Sequence, residues 1–88
     1  MCGIAGGMIK TGQPPPETIL MALQAALHHR GPDGAGRHVS GSVGLVHTRL
    51  AIVDPSHGKQ PFVDTDGVVL VANGEIYNDL TIRAELSE

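Results

Sequence analysis

The chain has 88 residues, enough for one small domain at most. Its 41% hydrophobic and 17% charged residues describe a folding chain rather than a disordered one. A net charge of -3, no basic run and only Phe62 and Tyr77 as aromatics exclude the basic, ring-bearing surface that binds nucleic acid.

The predicted elements run as follows. Residues 2–9 read as a short glycine-rich strand whose backbone a ligand or another strand can approach closely. "TGQPPP" (11–16) breaks it, because three prolines fit neither a helix interior nor a central strand. Residues 17–29 predict a helix: Ile19, Leu20, Leu23, Ala26 and Leu27 share a face, Pro16 suits the first turn, and Gly31-Pro32 ends it. "HRGPDGAG" reads as a loop, and 43–53 as a strand. Then "DTDG" (64–67) predicts a turn before the apolar run "GVVLVA" (67–72), the pattern of a strand buried on both faces. A second helical pattern begins in "EIYNDLTIRAELSE", with Ile76, Leu80, Ile82 and Leu86 at loose helical intervals and no closing Gly, Asn or Pro. Two or three strands with one and a half helices do not close a two-layer core, so the expectation is the front part of a larger domain.

Four places could carry chemistry. Cys2 is the sole cysteine, so no internal disulfide is implied. Loss of Met1 before this small residue would leave a thiol and an α-amine on one residue. An α-amine titrates near pH 7.7–8.0 on average, close enough to neutrality to serve as the thiol's base in acyl transfer. The alternative is a small hydrophobe near a frayed terminus. Asn73-Gly74, at the end of the apolar run, could converge a side-chain amide and a backbone N–H into an oxyanion hole, or make a plain strand-to-helix turn. Arg49 lies in an apolar stretch, where a guanidinium must be paired. A substrate carboxylate would satisfy it, as would Asp33, Asp54 or Glu75. The glycine-rich "RGPDGAG" lacks the Lys-Ser/Thr pair of a phosphate loop. His28, His29, His38, His47 and His57 show no metal-ligand spacing.

"MCGIAGG", "HRGPDG", "HTRLAIVD…GKQPF" and "NGEIYN", in this order and spacing, resemble the N-terminal glutaminase domain of glutamine-dependent asparagine synthetases. More broadly they resemble class II glutamine amidotransferases, which are N-terminal nucleophile hydrolases. Each motif is weak alone; four in register are a strong signal. Leu50 to Asp54 after the arginine is similar to the asparagine synthetase branch, where other branches carry an aromatic.

The resemblance implies an α+β fold, part of a four-layer αββα sandwich, with residues 1–88 as the incomplete front portion. It also implies roles. Cys2 would be the nucleophile, with its own amine as base; Asn73 and Gly74 would hold the oxyanion; Arg49 would take the α-carboxylate of L-glutamine. Ile52, Val53 and Glu75 would line the substrate pocket, Glu75 near the α-amino group, and 30–33 would pack beside the nucleophile. No metal or other cofactor is expected in this segment; ATP and magnesium would belong to an absent synthetase domain. Expected partners are L-glutamine and either a second copy of the chain or that C-terminal domain, with no nucleic acid and no membrane. No signal peptide or spanning run is visible, so a cytoplasmic location is expected. Two alternatives stand beside this reading: an amidotransferase with another acceptor, and a non-catalytic truncated binding module. The family has a further acidic residue beyond "NGEIYN", past the end of this chain, so weak or no activity is expected of these 88 residues alone.

Overall fold

The structure, a computed structural model, describes residues 2–51 and 58–87. Its elements are β1 (Gly3–Met8), α1 (Glu17–Leu27), β2 (Gly34–Ser40), β3 (Val43–Arg49), β4 (Phe62–Val63), β5 (Val69–Leu70) and α2 (Asp79–Leu86). The first three strands form an antiparallel sheet in the order β1-β3-β2, and β4 and β5 form a separate two-stranded ribbon. The protein is thus a small α+β unit with antiparallel sheets.

Strand β3 is central and holds the most buried side chains, Val46, His47 and Thr48. Its register is Gly3↔Thr48, Ile4↔His47 and Ala5↔Val46 on one side, and Ala35↔Thr48, Gly36↔His47 and Arg37↔Val46 on the other. Because side chains alternate along a strand, Gly44, Val46 and Thr48 face one way, and Leu45, His47 and Arg49 the other. Helix α1 packs on the first face. A Cβ built at Gly44 would stand 2.9 Å from a Leu20 methyl, and one at Gly3 would stand 3.0 Å from Leu27, so these glycines let the helix settle close to the sheet. The Thr48 hydroxyl donates to the Leu27 carbonyl at 3.1 Å, closing an end-of-helix acceptor. Leu20 and Val46 form the buried apolar core among the described residues.

Several expected elements are corrected. Helix α1 stops at Leu27, two residues short of 29, because the amides of His28, Arg30 and Gly31 turn back onto Ala25, Leu27 and His28. Its buried stripe is narrower than the pattern: Leu20 is buried and Leu23 and Leu27 half-buried, whereas Ile19 and Ala26 are exposed, since one sheet covers one side only. The expected loop 29–36 contains the start of β2, whose glycines hide a strand that pairing with β3 imposes. The strand expected over 43–53 ends at Arg49, with Ile52 and Val53 outside the described residues. The run 67–72 is not a strand buried on both faces. Only Val69 and Leu70 pair, and Leu70 is 55% exposed, because β5 has one partner strand and no second layer above it. The turn at 64–67 forms as expected: Asp64 accepts the Gly67 amide at 3.0 Å, its carboxylate takes the Thr65 amide at 2.6 Å, and Gly67 has φ +86°. The second helix starts at Asp79, later than the pattern from Glu75.

Candidate functional site

Carrying the β1–β3 register one residue past Gly3↔Thr48 sets Cys2 opposite Arg49, on the sheet face away from α1. The half-buried thiol is contacted at once: the Leu50 amide, next after Arg49, donates to Cys2 Sγ at 3.5 Å. The Cys2 carbonyl accepts from Arg30 Nε at 3.1 Å. A backbone N–H and a cation therefore stand beside the nucleophile candidate. Electropositive, partly exposed surroundings of this kind are where reactive cysteines are found.

The loop "HRGPDG" builds this arrangement. Gly31 packs so tightly on β3 that a Cβ there would run into the Thr48 and Arg49 backbone. Pro32 then forms a bridge to Arg49, and the Asp33 amide donates to the Arg49 carbonyl at 2.9 Å. The Asp33 carboxylate takes the Ala51 amide at 2.8 Å. Asp33 therefore grips Arg49 and Ala51, the residues on either side of Leu50, and fixes the direction of the Leu50 N–H. Asp33 entered the sequence reading as a counter-ion candidate for Arg49; this bond to Ala51 is a task that reading missed. Backbone donors carry no sequence signature, so only the quoted motif could have hinted at it.

Arg49 is half-buried on the Cys2 face, with one guanidinium nitrogen 3.5 Å from where a Gly58 side chain would begin. A third residue of that face, His47, is 1% exposed. Burial pushes its pKa below 6.5, a hydrogen bond to the Ala72 backbone opposes this, and the nearby Arg49 charge adds to the depression. Its Nε2 has no hydrogen-bond partner among the described residues. Neutral imidazole is thus the form the sheet holds at pH 7.

Asn73, Gly74 and Glu75 follow Ala72 directly, and all three are exposed. A Cβ at Gly74 would meet nothing within 4 Å, so the side-chain side of this residue is open. Among the described residues no hydrogen bond joins these three residues to Cys2; Ala72, beside His47 and bonded to Gln60, connects them to the Cys2 face. Ile52 and Val53, the other pocket candidates, lie outside the described residues. A cleft of about 680 Å³ is on the opposite face, between α1 and β2, lined by Met21, Gln24, His28 and Arg37 among others. It does not touch Cys2. Among the described residues, no group of three or more His, Cys, Asp or Glu stands together as a metal site requires. No helix among them is long and apolar enough to cross a membrane.

Comparison with known proteins gives the arrangement its context. The family model of the glutamine amidotransferase domain matches residues 1–88. The chain is 40% identical over 91 residues to the glutamine-hydrolysing asparagine synthetase 2 of Bacillus subtilis (strain 168), covering 98% of this chain and 12% of that protein. It is 44% identical over 89 residues to the glutamine-hydrolysing asparagine synthetase 2 of Arabidopsis thaliana, and 40% identical over 88 residues to the nodule enzyme of Pisum sativum. Each of these two matches covers 98% of this chain and 15% of the relative. The chain therefore spans 12–15% of the length of these relatives. No solved structure matches it. A match that runs from the first residue to the last, through the segments that meet at Cys2, shows that the chain belongs to the glutamine amidotransferase domain family.

Proposed function

We propose that this chain carries the glutaminase half-reaction of an asparagine synthetase, converting L-glutamine to glutamate and ammonia. The observation that carries the reading is the Leu50 amide on Cys2 Sγ, with Arg30 on the carbonyl of the same residue and Arg49 across the sheet from it. After loss of Met1, the Cys2 amine takes the thiol proton while Sγ attacks the δ-carbonyl carbon of glutamine. The oxygen becomes an oxyanion, received by the Asn73 side-chain amide and the Gly74 N–H. Collapse breaks the C–N bond, and the leaving group takes the proton from the Cys2 ammonium and departs as ammonia. Water, deprotonated by the same amine, then cleaves the thioester, releasing glutamate and restoring the thiol. Arg49 binds the α-carboxylate of the substrate through its planar fork, and Glu75 faces the α-ammonium. Ile52 and Val53 belong to the pocket wall.

The relatives are named as asparagine synthetases, and in this reading the ammonia passes to aspartate in a synthetase region that would bind ATP and magnesium. The chemistry at Cys2 needs only side chains, backbone and water. In this reading the sheet and α1 are the front part of a four-layer αββα sandwich working in the cytoplasm.

The test is an intact mass of a purified protein carrying this chain, before and after a glutamine-analogue diazo ketone, together with its glutaminase rate. A starting mass lacking Met1 and one adduct on Cys2 are expected, with turnover that Cys2→Ala reduces to background. A retained Met1, or a Cys2→Ala protein that still hydrolyses glutamine, overturns the reading.

A further inference from the structure

One row across the sheet carries more than the proposed reaction uses. Ile4, His47 and Gly36 lie side by side on β1, β3 and β2, on the face that also presents Arg49. His47 and Gly36 each support a segment from later in the chain. Gly36 has no space for a side chain, because the Gln60 carbonyl and the Pro61 ring rest directly upon it. The Ala72 backbone lies within hydrogen-bonding reach of the His47 ring. Gln60 and Ala72 are also joined to each other: the Ala72 amide donates to Gln60 Oε1 at 2.7 Å.

The next two residues are Asn73 and Gly74. They are exposed, and a side chain at Gly74 would meet open space. Among the described residues no hydrogen bond anchors Asn73 or Gly74, and Ala72 is the neighbouring residue tied to the sheet. The hold on Ala72 runs back to the sheet, since the Gln60 backbone is seated on β2 and His47 is enclosed in β3.

We propose that Gln60, backed by the buried His47, is a positioning residue for glutamine hydrolysis: it fixes Ala72 and so sets where the Asn73 side chain and the Gly74 amide meet the oxyanion. Neither side chain touches substrate. Their effect falls on the transition state, because the oxyanion is charged only there. Ground-state binding at Arg49 is left alone. A displacement of about 1 Å in such donors costs on the order of 100-fold in rate.

The inference rests on the glutaminase reading, and the experiment separates the two. Steady-state glutamine hydrolysis is measured for a protein carrying the whole chain and for Gln60→Leu, Gln60→Ser and Gln60→Glu, beside Cys2→Ala. Gln60→Leu removes the acceptor for the Ala72 amide at similar size. Gln60→Ser is too short to reach it, and Gln60→Glu keeps an oxygen in place. The expected result is kcat lowered about 10- to 100-fold in the Leu and Ser variants with KM within about twofold, and near-normal kcat in the Glu variant. The rate of Cys2 alkylation by iodoacetamide, which needs no oxyanion donors, stays at the wild-type value throughout. Gln60→Leu and Gln60→Ser proteins with unchanged kcat, beside an inactive Cys2→Ala, overturn the inference and leave the glutaminase reading standing. So does a rise in KM at constant kcat, or a fall in alkylation parallel to kcat, which is the mark of a merely structural residue. A wild-type protein without glutamine turnover overturns both.

Discussion

At the scale of single residues, the site is a set of short reaches between neighbouring backbones. Leu50 approaches Cys2 Sγ because Asp33 holds Arg49 and Ala51, and Asp33 is in place because Gly31 lets the loop lie flat on β3. That chain of causes predicts the effect of one methyl group. In Gly31→Ala the new Cβ collides with the Thr48 and Arg49 backbone, and neither strand nor loop can yield locally. Overpacking of this kind costs about 1–3 kcal/mol. Thermal unfolding of Gly31→Ala is therefore expected some 4–8 °C lower per kcal/mol, on the scale of small domains. A midpoint equal to the parent's would show that the loop does not rest on β3. Cys2, Arg49 and the Asn-Gly pair were legible as residue types. Leu50 was not, since it acts through an amide that every non-proline residue owns.

Elements tell a different story, because their fates follow their partners rather than their composition. The "GAG" that opens β2 has poor strand propensity and reads as the end of a loop, yet β2 pairs along its whole length with β3. The run "GVVLVA" has strong strand propensity and keeps only two paired residues, with Val68 and Leu70 exposed. Helix α2 buries no residue, and Leu80 and Leu86 face solvent, whereas β3 is enclosed by strands on both sides and by α1. Local opening should follow the same order. Amide hydrogen exchange of this chain is expected to be slowest at Val46, His47 and Thr48, and faster throughout 79–86. Protection in α2 equal to that of β3 would contradict this placement. The one ion pair within α2, Arg83 with Asp79 at 3.5 Å, is exposed and adds little to hold it.

For the whole molecule, shape and pH response follow from the thin architecture. The radius of gyration is 14.5 Å, above the roughly 12 Å of a compact chain this long, and the shortest dimension is 17 Å. That is the thickness of one helix on one sheet. The face away from α1 is only partly covered, and it is the face with Cys2 and Arg49. What covering exists encloses His47, and this sets a pH dependence. Its pKa is lowered in the folded protein, chiefly by burial, from the 6.5 of an open imidazole. Below that value the unfolded chain binds the extra proton and the folded one resists it. Stability is therefore full above pH 6.5 and declines as pH falls through 6.5 toward the folded value. Unfolding midpoints measured from pH 7.5 to 5 are expected to drop, and the drop should be smaller in His47→Asn. An equal slope in the variant would place the charge elsewhere.

The sequence by itself determined the chemistry on offer: a lone second-position cysteine, an arginine in an apolar run, an Asn-Gly after a strand, and four motifs whose order pointed to one family. It also determined what is local, namely α1 after its prolines and the Asp64 turn, because both are decided by contacts a few residues apart. Tertiary structure alone decided which strands exist, where they end and which side of the sheet carries the site. Those outcomes depend on hydrogen bonds and steric clearances between segments far apart in sequence, such as Gly36 with Gln60, Asp33 with Ala51 and Leu50 with Cys2. A backbone amide or a missing Cβ acquires its meaning only from what folding brings next to it.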